Sequence, residues 1–177
     1  MKKGKIDMDI QTYNEWKALP VGEVSFAPRS IYDITRDFVH SIDPEITTTF
    51  FEDEFYAICS TKTVNITFRY QDEDSLFDAF VQKHFGVSIN PILMGILHEV
   101  FHILTYDEQL DRERSILYYM LNIDFEYERY KDFTNMYFAI PSEFEATAGG
   151  VNYYLTHKKE CEDFLREVEP IIKWVNS

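Results

Sequence analysis

His98 and His102 flank Glu99 in the run His98-Glu99-Val100-Phe101-His102, and that spacing can hold a metal ion on a helix. Four residues advance an α-helix by about 400°, so both imidazoles leave one face and can chelate one ion, with Glu99 on the adjoining side. Neutral imidazole nitrogens bind Zn²⁺ at about 2.0–2.1 Å, and a glutamate placed this way is a general base rather than a ligand. The ion brings the pKa of its water towards about 7, Glu99 takes the proton, and an amide carbonyl can then be attacked without a covalent intermediate. Only five histidines occur in 177 residues, so chance assembly of the pentad is rare. Two His and one Glu in an otherwise apolar helix also cost burial that a function must offset.

A catalytic zinc site needs a third protein ligand and one open position. The metzincin extension would need a glycine at position 105 and a histidine at position 108, whereas the chain has Thr105 and Glu108. The better candidates lie in Ser142-Glu143-Phe144-Glu145-Ala146-Thr147. Glu145 follows Ser142 at capping-box spacing and would be occupied with the helix start, which leaves Glu143 the freer carboxylate. Glu145, Glu108 and His84 remain alternatives. Thr147, one turn after Glu143, is within reach to hydrogen-bond a ligand, whereas Tyr154 lies about 16 Å further along the axis. Ala146, Ala148, Gly149 and Gly150 would let this helix approach the metal helix closely. Tyr153, Tyr154 and His157 have the chemistry to stabilise an oxyanion, but a chain with twelve Tyr offers too many choices to assign one. His40, His84 and His157 stand alone and read as surface or core residues.

The elements that must position these groups follow from local pattern. Ser30 and Asp33 open a helix to about Ile42, with Ile31, Ile34 and Phe38 on one face. Between Glu45 and Tyr70 the alternation of Val64, Ile66, Phe68 and Tyr70 with Thr63, Asn65, Thr67 and Arg69 predicts a half-buried strand among two or three antiparallel ones, with a turn at Ser60-Thr61-Lys62. Thr63–Tyr70 is the candidate edge strand for an extended peptide, with an ordinary internal strand as the equal alternative. Leu76, Phe77, Phe80 and Val81 predict a short helix closed by Gly86. Asn90 as N-cap and Pro91 at the first position start the metal helix, which runs to about Thr105 with Leu93, Leu97, Val100 and Leu104 towards the core. Asp107 to about Lys131 is acidic, tyrosine-rich and helical in patches. The longer stretch from Asp107 to Tyr137 reads as an amphipathic core helix, or alternatively as the partner surface of a toxin or phage-borne effector. Another helix starts at Pro141-Ser142, and the last one bends before Pro170.

Composition narrows the function. With 45% hydrophobic residues and six Gly and six Pro, the chain is a packed globular protein, read as a single domain over residues 1–177. A formal net charge of -14 repels nucleic acid and anionic membrane surfaces, so neither is an expected partner. Cys59 and Cys161 form no CxxC pair, and no disulfide framework is expected. Met1-Lys2-Lys3-Gly4-Lys5 resembles a signal's basic segment, but Ile6-Asp7-Met8-Asp9 interrupts any apolar core, and no apolar run reaches about 18 residues. The expected compartment is the cytoplasm.

The pentad together with Glu143-Phe144-Glu145-Ala146-Thr147 resembles the Glu-type zincins, whose second helix carries an E-x-x-A-D/N pattern, and in particular the ImmA/IrrE-like metallopeptidases of bacteria, their phages and mobile elements. The resemblance covers about 60 residues, Asn90 to Gly150. It implies a compact α+β zincin-like fold, a small antiparallel sheet packed against the metal helix and further helices. It also implies zinc held by His98, His102 and Glu143, with Glu99 as base, and cleavage of a specific protein or peptide substrate such as a repressor. Phe101 stands where that family usually has Gly, and Thr147 replaces an Asp or Asn that would orient a motif His. The alternative function is a regulatory or binding protein that keeps the scaffold without hydrolysis.

Overall fold

The computed structural model describes residues 29–50, 54–69, 74–124 and 136–175. Among them are six α-helices and three short strands, an α+β architecture. The elements from Ile31 onward cluster in one compact unit, and the single-domain expectation for 1–177 falls in part on residues outside those described. No helix among the described residues is long and apolar enough to cross a membrane.

The first helix, α1 (Ile31–Ile42), buries Ile31, Ile34, Thr35, Phe38 and Val39, the spacing of one helical face. That face packs on the last helix, α6 (Lys158–Val175), where Cys161, Phe164, Val168 and Ile172 are all buried. Phe38 stacks on Phe164 with ring centroids 4.3 Å apart. Pro170 lies inside α6, where its missing N–H removes one backbone bond.

The sheet corrects one expectation and decides between two others. Its strands are β1 (Thr47–Thr49), β2 (Tyr56–Ile58) and β3 (Thr63–Asn65), ordered β1-β3-β2. It is mixed rather than antiparallel, because β1 runs parallel to β3 while β2 is antiparallel to it. The segment that could have been edge or internal is central, and regular strand ends at Asn65. Both of its faces are buried, since Val64, Asn65, Ile66 and Thr67 are all covered. The polar half of the alternation is not a wet face. Asn65 accepts from Thr49 Oγ1 at 3.0 Å and donates to the Glu54 carbonyl at 2.8 Å, and Thr67 Oγ1 accepts from the Arg69 amide. Small polar side chains satisfied in this way can be buried. The 3₁₀ turn Cys59–Thr61 joins β2 to β3 with Lys62 in the left-handed region, as the Ser60-Thr61-Lys62 stretch suggests.

Helix α2 (Asp74–Phe85) buries Phe77, Phe80 and Val81 and ends at Gly86, whose φ of +70° suits a residue without Cβ and whose N–H bonds the Gln82 carbonyl. Helix α3 (Pro91–Leu104) opens as its sequence requires, with Asn90 Oδ1 accepting from the amides of Ile92 at 3.0 Å and Leu93 at 3.3 Å. Every residue from Ile92 to His98 is buried, so this is an internal helix rather than a surface one with a single apolar stripe. Leu104 departs from expectation, being 41% exposed where the last turn emerges. Helix α4 (Glu108–Asp124) is capped by Asp107, whose Oδ1 accepts from the Gln109 and Leu110 amides. It is not an all-core helix, since Ile116 to Met120 are exposed.

Helix α5 (Pro141–Thr156) makes the most extensive helix packing among the described residues, against α3. Its small residues explain why. A Cβ on Gly150 would meet Met94 Cε at 2.9 Å and Leu97 Cβ at 3.1 Å, and one on Gly149 would overlap the Phe101 ring. Phe101 and Gly149 are thus a matched pair, the large residue of one helix seated over the bare backbone of the other. Gly149→Ala should cost about 1–3 kcal/mol in denaturant unfolding through this overlap. With Phe101 trimmed to Ala the same change should instead stabilise, by up to about 1 kcal/mol, because Ala is the better helix former. An equal cost in both backgrounds would place the strain elsewhere.

Candidate metal centre

Helix α3 delivers His98 and His102 from successive turns, and the first turn of α5 delivers Glu143 between them. The Nε2 atoms of the two histidines are 3.0 Å apart, and each is 3.1 Å from Glu143 Oε2. The glutamate side chain is wholly buried, and those of His98 and His102 are only 6% and 13% exposed. Three atoms with lone pairs converge here on one point, an arrangement that repels unless a cation or shared protons lie among them. In a tetrahedral zinc site with bonds of about 2.0–2.1 Å, neighbouring ligand atoms stand about 3.3 Å apart. The triangle is therefore close to one face of that tetrahedron, and this group can bind a metal ion.

Thr147 fixes the state of His98. Its hydroxyl donates to the Glu143 carbonyl at 2.8 Å, so towards His98 Nδ1, 3.1 Å away, the oxygen can only accept. Nδ1 then carries the proton, and neutral His98 presents a bare Nε2 to the ion. Phe77 and Phe138 set their ring edges against the imidazole at centroid distances of 5.4 and 5.9 Å, which hold its plane. Thr147→Val, which removes the acceptor and keeps the bulk, should weaken metal affinity about 10–100-fold in a chelator-competition titration. Unchanged affinity would mean that ring packing alone orients His98.

Electrostatics favour the ionised ligand. Burial would raise the Glu143 pKa, but the two imidazoles, which in their protonated forms donate to Oε2 when no ion is bound, hold it well below the usual carboxylate range. Burial also opposes charge on His98, yet its bond to Glu143 and the nearby Glu99 and Glu143 carboxylates raise its pKa. Glu99 moves the other way from Glu143. Burial raises it, and the two imidazoles only partly offset that, so the two carboxyl groups are pushed apart in acidity as a ligand and a base should be.

Glu99 and His102 line a cavity together with Phe55, Tyr56, Arg114, Tyr137 and Ser142. The remaining candidates lie outside the cluster. Glu108 is exposed and paired with Arg112, His84 is exposed, and His157 is exposed and stacked on Tyr153. Glu145 is exposed as well, and the expected capping box is absent. Pro141 takes the first helical position, Ile140 precedes it without a side-chain cap, and the buried Ser142 hydroxyl has no hydrogen-bond partner among the described residues. The preference for Glu143 thus has a different physical basis. Two residues turn a helix by about 200°, so only one of the two acids can face inward.

Three neighbours of the site were not legible in the sequence. Arg114 reaches Glu143 Oε1 with Nη1 at 3.5 Å and is held by Asp111 Oδ1, 2.8 Å from Nη2 and 3.2 Å from Nε. Tyr137 hydrogen-bonds Glu143, and burial, followed by the Glu143 and Glu99 charges, keeps its phenol protonated far above the ordinary range. The Asp111/Arg114 spacing is a common helical pair and carries no site signal of its own. No family model, curated protein or solved structure matches the chain, and its chemistry is read from these residues.

Proposed function

We propose that the protein is a zinc-dependent metallopeptidase of the zincin type, with the ion held by His98, His102 and Glu143 and with Glu99 as general base. The observation that carries this reading is the convergence of the two Nε2 atoms and Glu143 Oε2 within 3.1 Å, with Glu99 opening onto the adjoining cavity. Bound zinc would act as a Lewis acid on a carbonyl and make water acidic enough to serve as nucleophile near neutral pH. The chain's own residues supply the rest. Glu99 accepts the nucleophile's proton and can pass it to the departing amine, and its raised pKa suits both transfers. The Tyr137 phenol, protonated and lining the same cavity, hydrogen-bonds Glu143 and can serve a developing oxyanion by turning its single O–H away from that carboxylate.

Zinc is favoured over harder cations by two imidazoles and one carboxylate. Hydrolysis is favoured over a closed structural site because no further His, Cys, Asp or Glu among the described residues joins the three ligands. The outer edge of β2 supports a peptide substrate. Tyr56 and Ala57 line the cavity, and among the described residues β2 has a strand partner on one side only, so an extended chain can pair with it. This moves the proposed docking edge from β3 to β2. The narrow protein substrate, such as a repressor, belongs to the same proposal and rests on the resemblance to ImmA/IrrE-like enzymes.

Protein purified without chelator should hold about one zinc per chain by elemental analysis. Incubated with an unfolded proteome, it should create new peptide termini that vanish on chelation and return with zinc. A protein that binds no zinc when offered it would overturn the proposal.

A further inference from the structure

The two oxygens of Glu143 have different partners. Oε2 faces both histidines, while Oε1 faces the Arg114 guanidinium. Asp111, one turn earlier on α4, engages Nη2 and Nε of Arg114, so the remaining Nη1 is the part of the fork directed at Glu143. A carboxylate beside a divalent ion can bind through one oxygen or both, and the second oxygen would occupy the position a reacting molecule needs. We infer that Arg114, anchored by Asp111, is a positioning residue that keeps Glu143 in one-oxygen ligation and leaves a coordination position open. The inference rests on the metal-centre reading above.

Removing the guanidinium takes the cationic donor away from Oε1 in a side chain that is wholly buried, and leaves the neutral Tyr137 hydroxyl as the hydrogen bond from this side of the carboxylate. A buried carboxylate oxygen seeks another partner, and the ion is the nearest positive charge. Arg114 is itself 37% exposed, so its replacement spares the core.

Cobalt(II) reports coordination number through its visible absorption, which is strong in four-coordinate sites and weak in higher ones. The test loads the whole protein with cobalt as wild type, Arg114→Met, Arg114→Lys and Asp111→Asn, with melting curves to establish folding. Wild type should show the intense four-coordinate spectrum. Arg114→Met should lose roughly half of that intensity or more as Oε1 joins the ion. Arg114→Lys, which restores a cationic donor, should recover it, and Asp111→Asn should fall between. A spectrum of Arg114→Met that superimposes on wild type would overturn the inference and leave the metal centre standing. If Arg114→Met does not fold, an unchanged Asp111→Asn spectrum does the same. Wild type that takes up no cobalt would overturn both.

Discussion

Glu99→Gln should keep its zinc and lose peptide hydrolysis by about 10²–10⁴-fold, the range that a positioned proton-transfer group contributes. The substitution is isosteric and removes only the ability to accept a proton. Glu99 is not among the three converging ligand atoms, so the ion has no reason to leave. Its neighbours make it a suitable base, since burial raises its pKa while the adjacent imidazoles still favour the anion. Rate and metal content are measured on the same sample, by appearance of new peptide termini and by elemental analysis. Loss of zinc along with activity would make Glu99 a ligand and reassign Glu143. Full activity with zinc retained would remove Glu99 from the chemistry altogether.

What could be read in the sequence was what is encoded locally. The α3 helix announces itself within fifteen residues, through the Asn90 cap, Pro91 and the four-residue histidine spacing, and none of these depends on distant packing. The α3–α5 approach was legible for a related reason, because consecutive small residues at 146–150 leave room that only another element can fill. Phe101 looks out of place by comparison with ImmA/IrrE-like proteins, yet its ring lies where Gly149 has no side chain. That compensation joins positions on two helices and cannot be seen from either alone.

The sheet shows the opposite case. The alternation over Thr63–Tyr70 is real, but an alternating pattern marks a wet face only if its polar members reach water. Thr67 is satisfied locally by the Arg69 amide, but Asn65 bonds Thr49 and Glu54, so strand position depended on partners more than ten residues away. Arg114 illustrates the same limit at the site. It meets a carboxylate 29 residues further along the chain, and only the packing of α4 on α5 brings the two together. Ser142 and Glu145 fit a capping box, but the helix starts two residues earlier, at Pro141 with Ile140 as the cap position, and Glu145 is exposed.

Glu143→Ala should show how much of the protein's stability passes through the centre. A four-ligand zinc site is worth about 10–16 kcal/mol, so one ligand carries roughly a quarter of that, and its loss should weaken zinc binding about 10²–10³-fold. Bound zinc stabilises only the folded state. At free zinc about 1,000-fold above its Kd, wild type should gain about 4 kcal/mol, which for a domain of this size raises Tm by roughly 8–16 °C. The variant should gain little at the same zinc concentration. Glu143→Gln separates ligation from packing, because it fills the buried site and offers a neutral oxygen with a far poorer claim on the ion. If Glu143→Ala keeps the zinc-induced rise while Glu145→Ala abolishes it, the third ligand is the exposed acid, and α5 must start differently when the ion is bound. If both single variants keep it, the two histidines hold the ion without α5, and the burial of Glu143 between them serves the fold through Arg114 and Tyr137.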